Sequence, residues 1–136
     1  MRLNEEQKKD LVRIAKQVRK WAYVPYSRYK VGAAILTDSG KIYEGVNVEN
    51  AAYPVTNCAE RTAIFTAVTH GETKFQAIAV VTENGGTPCG SCRQVLAEFG
   101  ADILVIVADE QENIVMEKPL SELLPGAFTP KDLPKY

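Results

Sequence analysis

All three cysteines of the chain fall in two short segments, Cys58-Ala59-Glu60 and Pro88-Cys89-Gly90-Ser91-Cys92. Three thiolates hold a zinc ion at about 2.3 Å each and leave the fourth tetrahedral corner to water. A structural zinc site would normally be closed by a fourth protein ligand, and there is no fourth cysteine. An open site implies catalysis. The fold is therefore required to carry two distant segments to one point.

Hydrophobic patterning shows how it can do so. Asn4 caps a first helix that is expected to run to about Tyr23, with Leu11, Ile14, Ala15, Val18 and Ala22 on its apolar side. Its basic face needs no partner and reads as solvated surface. After a connection over Tyr26 to Lys30, Val31 to Thr37 and Lys41 to Val48 read as two strands. The tight turn Asp38-Ser39-Gly40 between them makes an antiparallel hairpin. A loop from Glu49 to Thr56 leads to a helix that starts near Asn57, covers Cys58 to Thr69 and ends at His70-Gly71.

Phe75 to Thr82 and Ile103 to Ala108 are nearly continuous apolar runs, the pattern of strands covered on both faces. Between them, Gly85-Gly86-Thr87-Pro88 is a loop, and a helix begins within Cys89 to Cys92 and runs to about Phe99. Asp109 to Asn113 is too short for a parallel crossover, so Ile114 to Glu117 is expected to return antiparallel. Pro119 to Leu124 forms a short helix, and the remainder to Tyr136 looks irregular. The expected architecture is a single α/β domain over residues 1–136, a mixed sheet with helices on its faces.

Both cysteine segments thus stand at helix starts, where unpaired N–H groups and the helix dipole stabilise thiolates. Zinc with three thiolates carries a net negative charge, which weakens its pull on water. Arg61, on the same helical face as Cys58, is placed to hydrogen-bond a thiolate and restore some of that pull, and Arg93 is a second candidate. Glu60 diverges from Cys58 around the helix and is a poor fourth ligand. It suits a proton shuttle between water, a ring nitrogen and a departing amine. Taken alone, it would be a first-turn acid favoured by the helix dipole. Taken alone, Cys89-Gly90-Ser91-Cys92 also fits a redox dithiol; Pro88 and the distant Cys-x-Glu favour zinc. His70, the only histidine, reads as a helix-end cation rather than a ligand.

Lys and Arg total 16 against 17 Asp and Glu, for a net charge of -1. That balance gives no pull toward nucleic acid or an anionic membrane. Met1 to Glu6 is polar, no apolar run approaches a membrane span, and three thiol ligands call for a reducing compartment, so a cytoplasmic location is expected.

With these motifs in hand, the chain resembles cytidine deaminases of the small homotetrameric kind with three cysteine ligands. The resemblance covers nearly the whole chain. It rests on Tyr26-Ser27, Gly45-Val46-Asn47-Val48-Glu49-Asn50, Asn57 to Arg61, Pro88 to Gln94 and Leu123-Leu124-Pro125-Gly126-Ala127-Phe128. It implies a three-layer fold with a five-stranded mixed sheet, one zinc ion per chain on Cys58, Cys89 and Cys92, and hydrolytic deamination of cytidine and deoxycytidine in pyrimidine salvage, with Glu60 catalytic. It further implies that Asn47 and Glu49 hold the sugar hydroxyls and that the Ala59 amide contacts the base. Tyr29, where relatives commonly have phenylalanine, would stack near the base. Tyr53 would stand at a subunit contact near the substrate, and Phe128 would reach a neighbouring subunit's site. By composition alone Asn47 and Glu49 could equally be a solvated loop edge, and Phe128 a tail anchor.

Three alternatives bear on this reading. A blasticidin-type deaminase shares the zinc motif, but the Asn-x-Glu-Asn stretch and the arginine after Glu60 point to cytidine. A polynucleotide-editing enzyme needs a basic track that the charge balance does not supply. A non-enzymatic thiol-zinc or redox module predicts little effect of Glu60→Gln, where hydrolysis predicts retained zinc and lost activity.

Overall fold

The computed structural model describes residues 3–134. The polar start at Met1-Arg2 and the terminal Lys135-Tyr136 lie outside it. Helices α1 (Glu5–Val18), α2 (Ala59–Thr69), α3 (Gly90–Phe99) and α4 (Leu120–Leu123) alternate with strands β1 (Gly32–Thr37), β2 (Ile42–Val46), β3 (Phe75–Val81), β4 (Leu104–Ala108) and β5 (Ile114–Pro119). The strands form one sheet in the order β2-β1-β3-β4-β5. Only β3 and β4 pair in parallel; the hairpin β1–β2 and the return β4–β5 are antiparallel, as their short connections require.

Period-two alternation divides the central strands between two cores. Ala34, Leu36, Ala77, Ala79, Val81 and Ile106 face Leu11, Val12 and Ala15 of α1. Ala33, Ile35, Ile78, Val80, Val105 and Val107 face Ala59, Ala63 and Ile64 of α2 and Leu96 of α3. The result is three layers, with α2 and α3 side by side on one face. That shared face is what lets their two N-termini meet.

Small residues set how close the helices lie. A Cβ at Gly45 in β2 would stand 2.3 Å from the Ala63 amide nitrogen and 2.5 Å from the Ala59 carbonyl oxygen of α2. Both are backbone atoms that cannot swing aside. Gly45→Ala is expected to destabilise the protein by about 1–3 kcal/mol, the usual cost of overpacking, measured by urea unfolding. A change within a few tenths of a kcal/mol would show that α2 can shift freely.

Three boundaries differ from the sequence-based expectation. The first helix leaves α-geometry at Val18 and finishes as a 3₁₀ turn over Arg19–Trp21. Tyr23, expected inside it, instead exchanges backbone hydrogen bonds with the β2 extension: its amide donates to the Asn47 carbonyl at 3.0 Å and its carbonyl accepts from Glu49 at 2.9 Å. The β2 ladder ends at Val46, and Val48 bridges Tyr23 on one side and Asn57 on the other. Cys58 lies before α2 and Cys89 before α3, each as the N-cap residue. The Val48–Asn57 bridge brings the Asn47–Glu49 stretch alongside Cys58.

Candidate metal centre and active site

The two N-cap cysteines have extended backbones (ψ 154° and 168°) and neither side chain caps its own helix. Their sulfurs are free to turn toward a common point. Cys58 Sγ lies 3.9 Å from Cys89 Sγ, which lies 3.5 Å from Cys92 Sγ, and all three fall within 4.8 Å of one another. Zinc–sulfur bonds of about 2.3 Å at tetrahedral angles place sulfurs roughly 3.8 Å apart. These separations are far too long for disulfides and close to that edge, so the donor set fits a zinc ion. Among the described residues, this is the only group of three such ligating side chains.

Charge is arranged around Cys58. The neighbouring Cys92 thiol and the Arg61 guanidinium, whose Nη2 donates to Sγ at 3.1 Å, lower the Cys58 thiol to about 5. Cys92, beside Cys58 and buried, is pushed upward. Binding a metal displaces the thiol protons. Arg61 takes the place expected for it beside a thiolate, while its Nε is buried with no hydrogen-bond partner.

Arg93 is placed differently from the expectation. Its guanidinium donates to the Pro88 carbonyl at 2.9 Å, the Leu123 carbonyl at 2.8 Å and Thr87 Oγ1 at 3.3 Å. It braces the loop before Cys89 against the C-terminal segment instead of bonding a sulfur. Carbonyl partners remote in sequence leave no signal in a motif.

Glu60, the second residue of α2, is 5% exposed, and burial pushes its carboxyl above the usual range. A carboxyl held out of water with a raised pKa can keep a proton and release it at neutral pH. It lines a cavity of about 290 Å³ together with Cys58, Ala59 and Cys89, at the small end of organic-ligand pockets. The cavity lies beyond the carboxyl end of β3, where α/β sheets hold their ligands.

Asn47, Glu49 and Tyr29 line the same cavity. Asn47 accepts the Val31 amide at 3.0 Å and donates to the Tyr29 carbonyl at 2.9 Å, which fixes the backbone on either side of Lys30. Glu49 accepts from the Ser27 hydroxyl and from the Ser27 and Tyr26 amides at 3.1 and 3.0 Å, and these bonds, the hydroxyl first, hold its carboxylate below the usual range. Tyr53 and Phe128 do not line this cavity and stand 69% and 58% exposed. Tyr53 meets Tyr26 edge to face with ring centres 5.8 Å apart. His70 bonds the Thr66 carbonyl through Nδ1 at the end of α2, as expected of a helix-end residue. Thr82 and Asn84 were not legible as site residues; only the turn-forming run that follows them marked the segment.

Residues 5–108 match the family described as the cytidine and deoxycytidylate deaminase zinc-binding region. The chain belongs to this family. It is 52% identical over 126 residues to the cytidine deaminase of Halalkalibacterium halodurans, spanning 90% of this chain and 95% of that one, and 48% identical over 125 residues to that of Sporosarcina psychrophila, spanning 90% and 92%. Among solved structures it is similar to the cytidine deaminase of Burkholderia pseudomallei, with a TM-score of 0.85, 44% identity and coverage of 93% of this chain and 100% of that one. The fold class expected from sequence, a mixed five-stranded sheet between helical layers, is that of this family.

Proposed function

We propose that this chain is a zinc-dependent hydrolytic deaminase that converts cytidine and deoxycytidine to uridine and deoxyuridine with release of ammonia. The observation that carries the reading is three sulfurs at tetrahedral spacing beside a buried carboxyl in a nucleoside-sized cavity. Cys58, Cys89 and Cys92 would hold the ion, which when bound supplies a Lewis acid that makes water a nucleophile at neutral pH. Glu60 takes one proton from the attacking water and delivers it to the ring nitrogen next to the amino-bearing carbon, then takes the second from the resulting hydroxyl and passes it to the departing amine, which leaves as ammonia. The Ala59 amide, at the start of α2, is available to the base carbonyl. Arg61 withdraws charge from the thiolates.

The pocket favours a nucleoside over a nucleotide. Among the described residues its lining includes Glu49 and Glu60 and no lysine, arginine or histidine. The Asn47 amide retains an N–H, and Glu49 a carboxylate, for sugar hydroxyls; a 5′-phosphate would meet negative charge without a counter-ion. Incubation of the zinc-loaded protein with cytidine or deoxycytidine is expected to shift their ultraviolet absorbance to that of the uracil nucleosides and yield stoichiometric ammonia. The 5′-monophosphates should react at least about a hundredfold more slowly, the scale of an uncompensated charge. Preferential turnover of the monophosphates, or of blasticidin S, would overturn this assignment.

A homotetramer with shared sites suits the exposed aromatics. Tyr26, Tyr53 and Phe128 stand half exposed or more, and Phe128, held by Gln94 Nε2 donating to its carbonyl at 2.8 Å, does not line its own chain's pocket, so both features would suit contacts with a neighbouring subunit. No helix among the described residues is long and apolar enough to cross a membrane. A role in pyrimidine salvage in the cytoplasm accords with a nucleoside substrate and with thiol ligands that must stay reduced.

A further inference from the structure

Tyr29 contributes more to the cavity than a ring. Its hydroxyl donates to Asn84 Oδ1 at 2.6 Å. The same Oδ1 lies 3.5 Å from Thr82 Oγ1, which accepts the Gly86 amide at 2.8 Å. Thr82, Asn84 and Gly86 belong to the segment that joins β3 to Pro88-Cys89, and Thr82, Gly86, Thr87 and Cys89 line the cavity together with Asn47 and Glu49.

The far end of this segment is fixed by Arg93 on Pro88 and Thr87, and its near end by Thr82, whose amide donates to Ala108 at 3.2 Å. Its middle is Asn84-Gly85-Gly86, where two glycines maximise backbone freedom. Gly86 packs directly against the tyrosine: a Cβ there would stand 2.8 Å from Tyr29 Oη. Tyr29 is itself held on the other side, its amide donating to Ser27 Oγ at 3.0 Å and its carbonyl accepting from Asn47. One residue therefore spans from the Asn47–Glu49 stretch to the loop that delivers Cys89.

We propose that the Tyr29 hydroxyl is a positioning group, which through Asn84 holds the Thr82–Thr87 loop at the width the base requires. A phenylalanine would supply the same ring and leave the loop's middle untied. The effect belongs to binding, because the hydroxyl touches neither the sulfurs nor Glu60, while the loop it holds forms a wall of the cavity. The kinetic part of the inference rests on the cytidine deaminase reading; the structural part does not.

The test compares zinc-loaded wild type with Tyr29→Phe, Asn84→Ala, Gly86→Ala and the Tyr29→Phe/Asn84→Ala double variant. Each single change should raise KM for cytidine roughly threefold to tenfold, the equivalent of one hydrogen bond, with kcat within about twofold. The double variant should be no worse than either single one, since both remove one interaction. Gly86→Ala, by displacing the hydroxyl, should give the same phenotype, and adding Tyr29→Phe to it should not deepen the loss. Amide exchange at Gly86 should speed up in Tyr29→Phe, Asn84→Ala and their double variant, whatever the substrate. Unchanged exchange and KM in Tyr29→Phe, or additive effects of Tyr29→Phe and Asn84→Ala, would overturn the proposal. Wild-type protein inert toward cytidine would refute the functional reading instead, and Gly86 exchange would still decide whether the tether exists.

Discussion

Glu60→Gln is expected to yield a folded protein that retains one zinc per chain and loses turnover of cytidine by about 10²–10⁴-fold, the range attributed to a positioned acid–base group. The amide matches the carboxyl in size, so the packing of α2 against the sheet is undisturbed. It cannot take a proton from water or return one to an amine. The side chain is 5% exposed and its carboxyl is pushed up chiefly by burial, so no water-borne buffer readily replaces it. The zinc should stay because three sulfurs, none of them touched by the substitution, are grouped for it. Metal analysis and steady-state kinetics on the same sample check both halves. Activity within tenfold of wild type would return Glu60 to the role of a helix-dipole acid, and loss of zinc would make it a ligand.

What could be read from the sequence, and what could not, follows from the range of the interactions involved. The central strands were legible because burial on both faces writes a continuous apolar run, as in Phe75 to Val81. The hairpin was legible because Asp38-Ser39-Gly40 is local, with Gly40 at φ 90°. The cysteines and Glu60 were legible because metal and proton chemistry admit few residue types. The helix bounds failed where tertiary pairing competed with local propensity: Tyr23 gave its backbone to the strand extension at Val48, which nothing within the first helix foretells. Arg93 failed for a related reason, since its carbonyl acceptors at Pro88 and Leu123 carry no side-chain identity. Asn84 was invisible because an exposed asparagine beside two glycines reads as a turn and nothing more. Its partner lies 55 residues away.

Removing zinc is expected to abolish turnover while leaving the fold standing. Small zinc domains unfold without their metal because the ion replaces a core. Here Ala59, Ala63, Ile64 and Ala67 of α2 and Leu96 of α3 are already buried against the sheet, and Ile35, Ile78, Val105 and Val107 close the layer beneath them. The two helix N-termini are held at the right separation by that layer, with the sulfurs within 4.8 Å of one another. The ion therefore adds to stability by binding only the native state. At a free concentration a thousandfold above its dissociation constant, this amounts to about 4 kcal/mol. A chelated sample should keep its far-ultraviolet circular dichroism, melt at a lower temperature, lose activity, and regain both on addition of stoichiometric zinc. Cys89→Ser should behave as the chelated protein does and should not be rescued at stoichiometric metal, because a neutral hydroxyl replaces one of three thiolates. Unfolding on chelation would mean that the sulfur cluster, and not the apolar layer, holds α2 and α3 together. Turnover that survives chelation would remove the metal from the chemistry altogether.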